Sequence, residues 1–73
     1  MSKLKIITST QMCKMLEDEG FIAIRQCGSH RFFQHADGRT TIVSIHSGDL
    51  LRPLIRKTLK DIGMSVDDYN DRF

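Results

Sequence analysis

The stretch FIAIRQCGSHRFFQHADGRTTIVSI, residues 21–45, decides the fold of this chain. It contains three runs rich in aromatic and β-branched residues, at 21–27, 30–35 and 40–45, and such runs are typical of β-strands. Two short segments that contain glycine separate the runs, and glycine is typical of tight turns. The pattern therefore predicts three antiparallel strands that follow one another as a meander.

The two turns set the pairing of the strands. The Gly-Ser segment at 28–29 predicts a type II′ turn, because glycine enters the first central position without steric cost. The Asp-Gly segment at 37–38 predicts a type I′ turn, in which both residues have positive φ. Loops of two residues fix the register of a hairpin, and here they make His35 the partner of Thr40.

This register distributes the apolar side chains over both faces of the predicted sheet. One face carries Ile22, Ile24, Phe33 and Ile42, with Gln26, Arg31 and Ser44 toward one end. The other carries Phe21, Ala23, Phe32, Val43 and Ile45, with Arg25, His30 and Gln34. Neither face is clearly polar, so the pattern alone leaves open which face the helices cover.

Helical segments flank the sheet. Residues 8–11, Thr-Ser-Thr-Gln, match a capping box, and the spacing of the apolar residues after it predicts a helix over about 9–19. Pro53 suits the first position of a second helix, which Gly63 ends. Ser65 is placed to cap a last short helical turn. The order α-β-β-β-α predicts an α+β fold built on one three-stranded antiparallel sheet.

Size and composition limit the class of protein. The 73 residues are enough for one domain, 1–73, and 40% hydrophobic with 27% charged residues is the composition of an ordinary globular protein. No apolar stretch approaches the roughly 18 residues of a membrane span, and no secretion signal is recognisable. The two cysteines lack the spacing of a metal pair. We therefore expect a reduced, cytoplasmic protein with no cofactor and no membrane partner.

Positive charge is concentrated in the middle of the chain. Residues 25–60 hold seven of the 11 lysines and arginines but two of the nine acidic residues, and they hold all three histidines. A basic segment beside candidate acid/base groups favours a polyanionic partner such as nucleic acid. The charge by itself is explained more simply by a solvated surface of mixed charge.

His30 is the first candidate for chemistry. It lies at the exit of the predicted turn at 28–29, and the end of a hairpin is rigid and faces solvent. Imidazole is the side chain best suited to proton transfer near neutral pH. The position alone is also that of an ordinary polar residue beside a turn, so the residue pattern leaves both interpretations open.

An ordered set of residues extends the pattern over nearly the whole chain. It consists of Gly20-Phe21, Arg25-Gln26, Gly28-Ser29-His30, His35, Asp37-Gly38-Arg39, Val43, His46, Gly48, Leu50, Arg56, Leu59, Gly63 and Ser65. In this set the chain resembles the HicA toxin family, also called YcfA-like, from about Ile7 to Tyr69. It departs from that family at Pro53-Leu54, where a Gly-Thr pair is common.

The resemblance implies a fold like the double-stranded-RNA-binding domain, with both helices on one face of the sheet. It implies an endoribonuclease toxin of a type II toxin–antitoxin pair that cleaves mRNA without a metal, with His30 as the catalytic residue. It also implies a partner, a HicB-type antitoxin that blocks the site.

RNA contacts are expected at Arg25, Gly28, Ser29, Arg31 and His46. The two arginines can bind phosphate or lie as exposed strand charges with their stems on the sheet, and Arg25 is the stronger candidate because it shares the predicted face of His30. His46 either lines the same site or makes only a backbone hydrogen bond. The alternatives from other classes are a non-catalytic RNA-binding module that grips the RNA backbone and a protein-binding adaptor.

Overall fold

The computed structural model describes residues 3–73 and has six elements in the order α-β-β-β-α-α. They are α1 (Ser9–Asp18), β1 (Phe21–Cys27), β2 (His30–His35), β3 (Thr40–Ser44), α2 (Arg52–Ile62) and α3 (Val66–Arg72). The strands form one antiparallel sheet in the order β1-β2-β3. The predicted α+β class and the meander are confirmed. Residues 1 and 2 of the predicted domain lie outside the described range.

The ends of the first two helices follow from the residues found there. The predicted capping box of α1 is present, because the Thr8 hydroxyl accepts from the Gln11 amide and the Gln11 side chain accepts from the Thr8 amide. The second helix begins one residue before the prediction, so Pro53 follows Arg52. Gly63 ends it with a φ of 73°, a left-handed conformation that favours glycine. Within residues 3–73, no helix is long and apolar enough to cross a bilayer.

The third helix is tied to the start of the described chain. Ser65 caps it as predicted, accepting a hydrogen bond from the Asp68 amide at 3.1 Å. Tyr69 is fully buried, and its hydroxyl donates to the Lys5 carbonyl oxygen at 2.6 Å. Burial raises the pKa of the Tyr69 phenol to about 12, because the charged phenolate would lose its hydration there.

Both α1 and α2 cover the same face of the sheet, which we call the covered face. Phe21, Phe33 and Val43 point into it and are 2%, 1% and 2% exposed. They join one apolar cluster with the helix residues Met12, Met15, Leu16, Ile55, Leu59, Ile62 and Tyr69. Each large apolar side chain buried in this way stabilises the fold by about 1.5–3 kcal/mol before the entropy cost of ordering it.

The predicted assignment of side chains to faces is wrong, because β1 contains a β-bulge. Ala23 pairs with Phe33 and Arg25 pairs with Phe32, so Ile24 is an extra residue without a partner of its own. One extra residue in a strand of period two moves everything beyond it to the other face. The bulge thus puts Phe21 and Phe33 on the same face, the covered one, whereas the predicted register puts them on opposite faces.

The predicted type I′ turn at 37–38 is also wrong. The loop spans three residues, 36–38, and is closed by hydrogen bonds from the His35 amide to the Arg39 carbonyl at 2.8 Å and from the Gly38 amide to the His35 carbonyl at 2.9 Å. Gly38 alone has positive φ in this loop, at 98°. Asp37 keeps a negative φ while its carboxylate accepts from the Arg39 amide at 3.0 Å, so its side chain stabilises the longer loop.

The longer loop shifts the pairing of β2 with β3 by one residue. Thr40 pairs with Gln34, and not with His35 as the two-residue loop predicts. The other face of the sheet, which no helix covers, is called the open face below. It carries Ile22, Arg25, His30, Phe32, Gln34 and Ile42, with Ile24 beside Ile22 in a shallow depression.

Candidate functional site

The turn between β1 and β2 positions the candidate residues. Gly28 has a φ of 59° and Ser29 a negative φ, as a type II′ turn requires. The Nε2 of Gln26 donates to the Gly28 carbonyl oxygen at 3.0 Å and braces the turn. A Cβ added at Gly28 would meet nothing within 4 Å, so the space beside the turn is open to a ligand.

His30 stands at the exit of this turn as the first residue of β2, and its side chain is exposed. Its pairing partners are Cys27 across the turn and Ser44 on β3. Because β2 is the central strand, the ladder holds the His30 backbone from both sides. An exposed imidazole on a fixed backbone is what a proton-transfer group needs.

Arg25 shares the open face with His30, as predicted for the pair. It pairs with Phe32, which lies two residues beyond His30 on β2, and its guanidinium carbon is 4.6 Å from the centre of the Phe32 ring. Such a cation–π contact is worth about 0.5–1 kcal/mol at an exposed site. It holds the guanidinium group over the ring, and guanidinium N–H groups are donors that bind phosphate.

Arg31 lies on the covered face, away from His30. Its Nε donates to the Gln26 side-chain oxygen at 3.0 Å, and its Nη1 is 3.8 Å from the Cys13 sulfur. Burial raises the pKa of the Cys13 thiol although the neighbouring guanidinium opposes that rise. Arg31 therefore braces α1 against the sheet, and an RNA contact at this residue stays a prediction that its position does not favour.

His46 follows β3 in an exposed segment. Its Nδ1 is 2.9 Å from the Ser47 carbonyl oxygen. Its carbonyl oxygen accepts a hydrogen bond of 3.0 Å from the hydroxyl of Ser9, the first residue of α1. The preceding amide, that of Ile45, donates to the Ser29 carbonyl at 2.6 Å. These contacts bring the segment at His46 beside the turn that carries His30.

His35, in contrast, is at the other end of β2 and serves packing. Its ring meets Phe21 edge-on with the ring centres 5.0 Å apart, and its Nδ1 accepts a hydrogen bond of 3.1 Å from the Asp37 amide. The fold therefore gathers His30 and His46 at the turn end of the sheet and separates His35 from them.

The open face combines these polar groups with exposed aliphatic side chains. Ile22, Ile24 and Ile42 are 68%, 55% and 44% exposed. Branched aliphatic residues grouped on one face are costly to leave in water, and such groups mark interaction surfaces. The open face thus has a polar end at the turn and an apolar region beyond Arg25.

The arrangement at the turn can move a proton and steady a negative charge. The imidazole of His30 supplies the first function and the guanidinium of Arg25 the second. Within residues 3–73, no group of three His, Cys, Asp or Glu side chains is placed to hold a metal ion.

Sequence reasoning missed two residues that support the site. Ser9 reads as part of a capping box, yet it is 2% exposed and holds the His46 main chain. The predicted turn at 28–29 already pairs Phe32 with Arg25, but the contact of the guanidinium with the Phe32 ring is not predicted. The contact of Ser9 leaves no local signal, because it joins residues that are 37 positions apart in the chain.

Comparison with known proteins gives one result that bears on identity. Residues 9–64 match the sequence model of a family described as the HicA toxin of bacterial toxin–antitoxin systems. The match runs from the first residue of α1 to just beyond α2 and includes the whole sheet. A search of curated proteins finds no match.

Proposed function

The chain belongs to the HicA toxin family, and from this premise we propose that it is an endoribonuclease that cleaves mRNA with His30 as its catalytic residue. The observation that carries the proposal is the exposed His30 imidazole, held at a braced turn on the same face as the stacked Arg25 guanidinium.

The proposed chemistry uses the 2′-hydroxyl of the RNA itself. A base removes the 2′-hydroxyl proton, the 2′-oxygen attacks phosphorus, and the bond from phosphorus to the 5′-oxygen breaks as an acid protonates that oxygen. The products carry a 2′,3′-cyclic phosphate and a 5′-hydroxyl. His30 takes part in proton transfer, and Arg25 neutralises charge on the phosphate. Cleavage of this kind needs no metal, so we expect it to persist in a chelator.

Replacement of His30 tests the catalytic role. His30→Ala is expected to lower the cleavage rate by about 10²–10⁴-fold, the usual contribution of one acid/base group, and to abolish growth arrest on expression. Gln34→Ala is the matched control, because it removes another exposed side chain from the open face of the same strand. Circular dichroism checks that both variants fold.

The outcomes separate the proposal from its main alternative. Full growth arrest by well-expressed His30→Ala would remove His30 from the mechanism. Wild-type protein that binds RNA without cutting it would support a non-catalytic RNA-binding module instead. Cleavage that disappears in a chelator and returns with magnesium would show that the chemistry uses a metal.

The partner that the family implies is an antitoxin, and we propose a HicB-type protein that covers His30. The exposed isoleucines of the open face support this, because an antitoxin that buries them gains apolar contact area on the same face of the sheet as His30. The complex should not cleave RNA, and degrading the antitoxin should restore cleavage. Protection mapped to Asp67 and Asp71 that leaves His30 open would contradict the proposal.

A charge on the open face tests that partner's footprint. Ile22→Lys should weaken the complex with the co-encoded antitoxin while growth arrest by the free toxin is kept. Leu51→Lys is a matched control, because Leu51 is 67% exposed against 68% for Ile22 but lies at the start of α2, outside the sheet. Equal affinity of the antitoxin for both variants would place its footprint elsewhere.

A further inference from the structure

We propose that His46 supplies the second proton transfer of the cleavage reaction, as the base, and that Ser9 is the positioning residue that holds it. This inference rests on the proposed ribonuclease function and adds to it separate roles for two histidines, His46 as the base and His30 as the acid. Three observations support it: the contact of the His46 ring, the contacts of the His46 main chain with Ser9, and the position of this segment beside the turn at 28–29.

The ring contact fixes which nitrogen of His46 carries the proton. Its Nδ1 lies 2.9 Å from the Ser47 carbonyl oxygen. A carbonyl oxygen only accepts hydrogen bonds, so Nδ1 must be the donor, and in the neutral ring Nε2 keeps a free lone pair. The exposed ring therefore presents the nitrogen that a base uses, with the other nitrogen held by a neighbour, as in other oriented catalytic histidines.

The main chain of His46 is held by one buried hydroxyl. Ser9 is 2% exposed, its Oγ donates to the His46 carbonyl oxygen at 3.0 Å, and the same Oγ lies 3.4 Å from the His46 amide nitrogen. Ser9 in turn belongs to the first turn of α1, which the Thr8–Gln11 capping box fixes. A segment without regular structure is thus anchored to a helix end at the residue that bears the imidazole.

The strand ladder places His46 next to the catalytic turn. Ser44 pairs with His30, and the next residue, Ile45, donates its amide to the Ser29 carbonyl at 2.6 Å. His46 follows directly, so its main chain lies near the turn on the β3 side of His30. Beside His30, on the β1 side of the turn, an added Cβ at Gly28 would meet nothing within 4 Å, so the turn leaves open space for a substrate.

The two histidines then divide the proton transfers of the reaction. Nε2 of neutral His46 takes the 2′-hydroxyl proton as the 2′-oxygen bonds to phosphorus. Protonated His30 gives its proton to the 5′-oxygen as the bond from phosphorus to that oxygen breaks. After the step His46 is protonated and His30 neutral, and exchange with water restores both because both side chains are exposed.

A modified substrate separates the base from the acid. In an RNA with sulfur in place of the scissile 5′-oxygen, the leaving thiolate needs no proton. His30→Ala should recover most of its lost rate on this substrate, and His46→Ala should stay about 10²–10⁴-fold slow on both substrates. Added imidazole should restore part of the activity of His46→Ala. Recovery of His46→Ala on the sulfur substrate, with none for His30→Ala, would overturn the assignment of roles.

A second set of variants tests Ser9. Ser9→Ala should lower kcat by about 10–100-fold, the range expected when a reacting group is displaced by about 1 Å, and leave KM unchanged. Ser9→Thr keeps the hydroxyl and should retain more activity. Thr41→Val is the matched control, because Thr41 is 3% exposed and its hydroxyl donates to Asp61 at 3.1 Å, near the end of β3 that is farther from His46. An equal kcat loss in Thr41→Val and Ser9→Ala would reduce Ser9 to a structural role and overturn this part.

These results are distinguishable from failure of the proposed function itself. If His30→Ala cleaves normally, the ribonuclease mechanism around His30 fails. If His30→Ala is inactive while His46→Ala is fully active on natural RNA, the ribonuclease function stands and the inference about His46 and Ser9 is wrong.

Discussion

The two faces of the sheet are built from similar apolar residues but differ in solvent exposure. On the covered face, Phe33 and Val43 are 1% and 2% exposed, whereas on the open face Ile22 and Ile42 are 68% and 44% exposed. Hydrophobicity of the residues therefore does not decide which face becomes core. The difference is made by the helices, whose apolar stripes need one face and leave the other free for the candidate site.

This comparison predicts its largest effect on stability. Phe33→Ala on the covered face should lower the free energy of unfolding by about 3–5 kcal/mol, and Ile22→Ala on the open face should change it by no more than about 0.5 kcal/mol. A chain of this size is stabilised by only about 5–10 kcal/mol in total. Urea unfolding followed by circular dichroism measures both changes. Similar midpoints for the two variants would mean that the faces are not energetically distinct.

The next effect concerns Tyr69, the most deeply buried polar aromatic in the helix-covered core. The pKa of this phenol is about 12 in the folded protein, and an unfolded tyrosine has a pKa of about 10. The unfolded chain therefore loses the proton first, so the stability that neutral Tyr69 contributes is present below pH 10 and is lost as the pH rises toward about 12.

Tyr69→Phe isolates that effect, because other groups titrate in the same range. The variant lacks the hydrogen bond to the Lys5 carbonyl and should be less stable at neutral pH by about 1 kcal/mol, with a flatter decline above pH 10. Tyr69 is the one tyrosine of a chain without tryptophan, so its ionisation is visible in the near ultraviolet. A phenol that titrates near 10 in the folded protein would contradict the prediction.

A third prediction sharpens the functional side of the comparison. Arg25→Glu on the open face should weaken RNA binding and reduce the slope of log affinity against log salt by about one, since each phosphate contact contributes to that slope. Lys14→Glu on α1 should have a smaller effect, because Lys14 is already paired with Asp18 at 3.5 Å. Filter binding over a salt series measures both slopes, and equal slopes for the two variants would place the RNA footprint outside the open face.

The smallest effect is expected from deleting Ile24, the extra residue of the bulge in β1. Without Ile24, strict alternation along β1 keeps Ala23 on the covered face and Arg25 on the open face, the sides they occupy now. A chain that lacks Ile24 should therefore fold with the same sheet and lose less stability than Tyr69→Phe. Thermal unfolding measures the change in stability, and an NMR spectrum of the backbone amides shows whether the sheet is kept. Complete unfolding would show that the bulge stabilises the fold as well as breaking the alternation.

Prediction from the sequence succeeded for local features and failed for long-range ones. The capping box at α1, the glycine turn before His30 and the glycine at the end of α2 were each predicted from neighbouring residues. The register failed at both hairpins, because an unmarked bulge and a three-residue loop each shift it by one. The prediction that Arg25 and His30 share a face is correct despite both errors. Both residues lie on the turn side of the bulge, where the two-residue turn at 28–29 sets the pairing.

The sequence by itself determined the number, order and kind of the strands and main helices, because capping, turn geometry and residue preference act between near neighbours. Only the tertiary structure decided that Phe33 is core while Ile22 is exposed, since that choice depends on the total apolar area buried against α1 and α2. It also decided that the Ser9 hydroxyl meets the main chain of His46, 37 residues away. Such contacts form only when distant segments pack together, and their energy lies in the packed arrangement rather than in any one stretch of the chain.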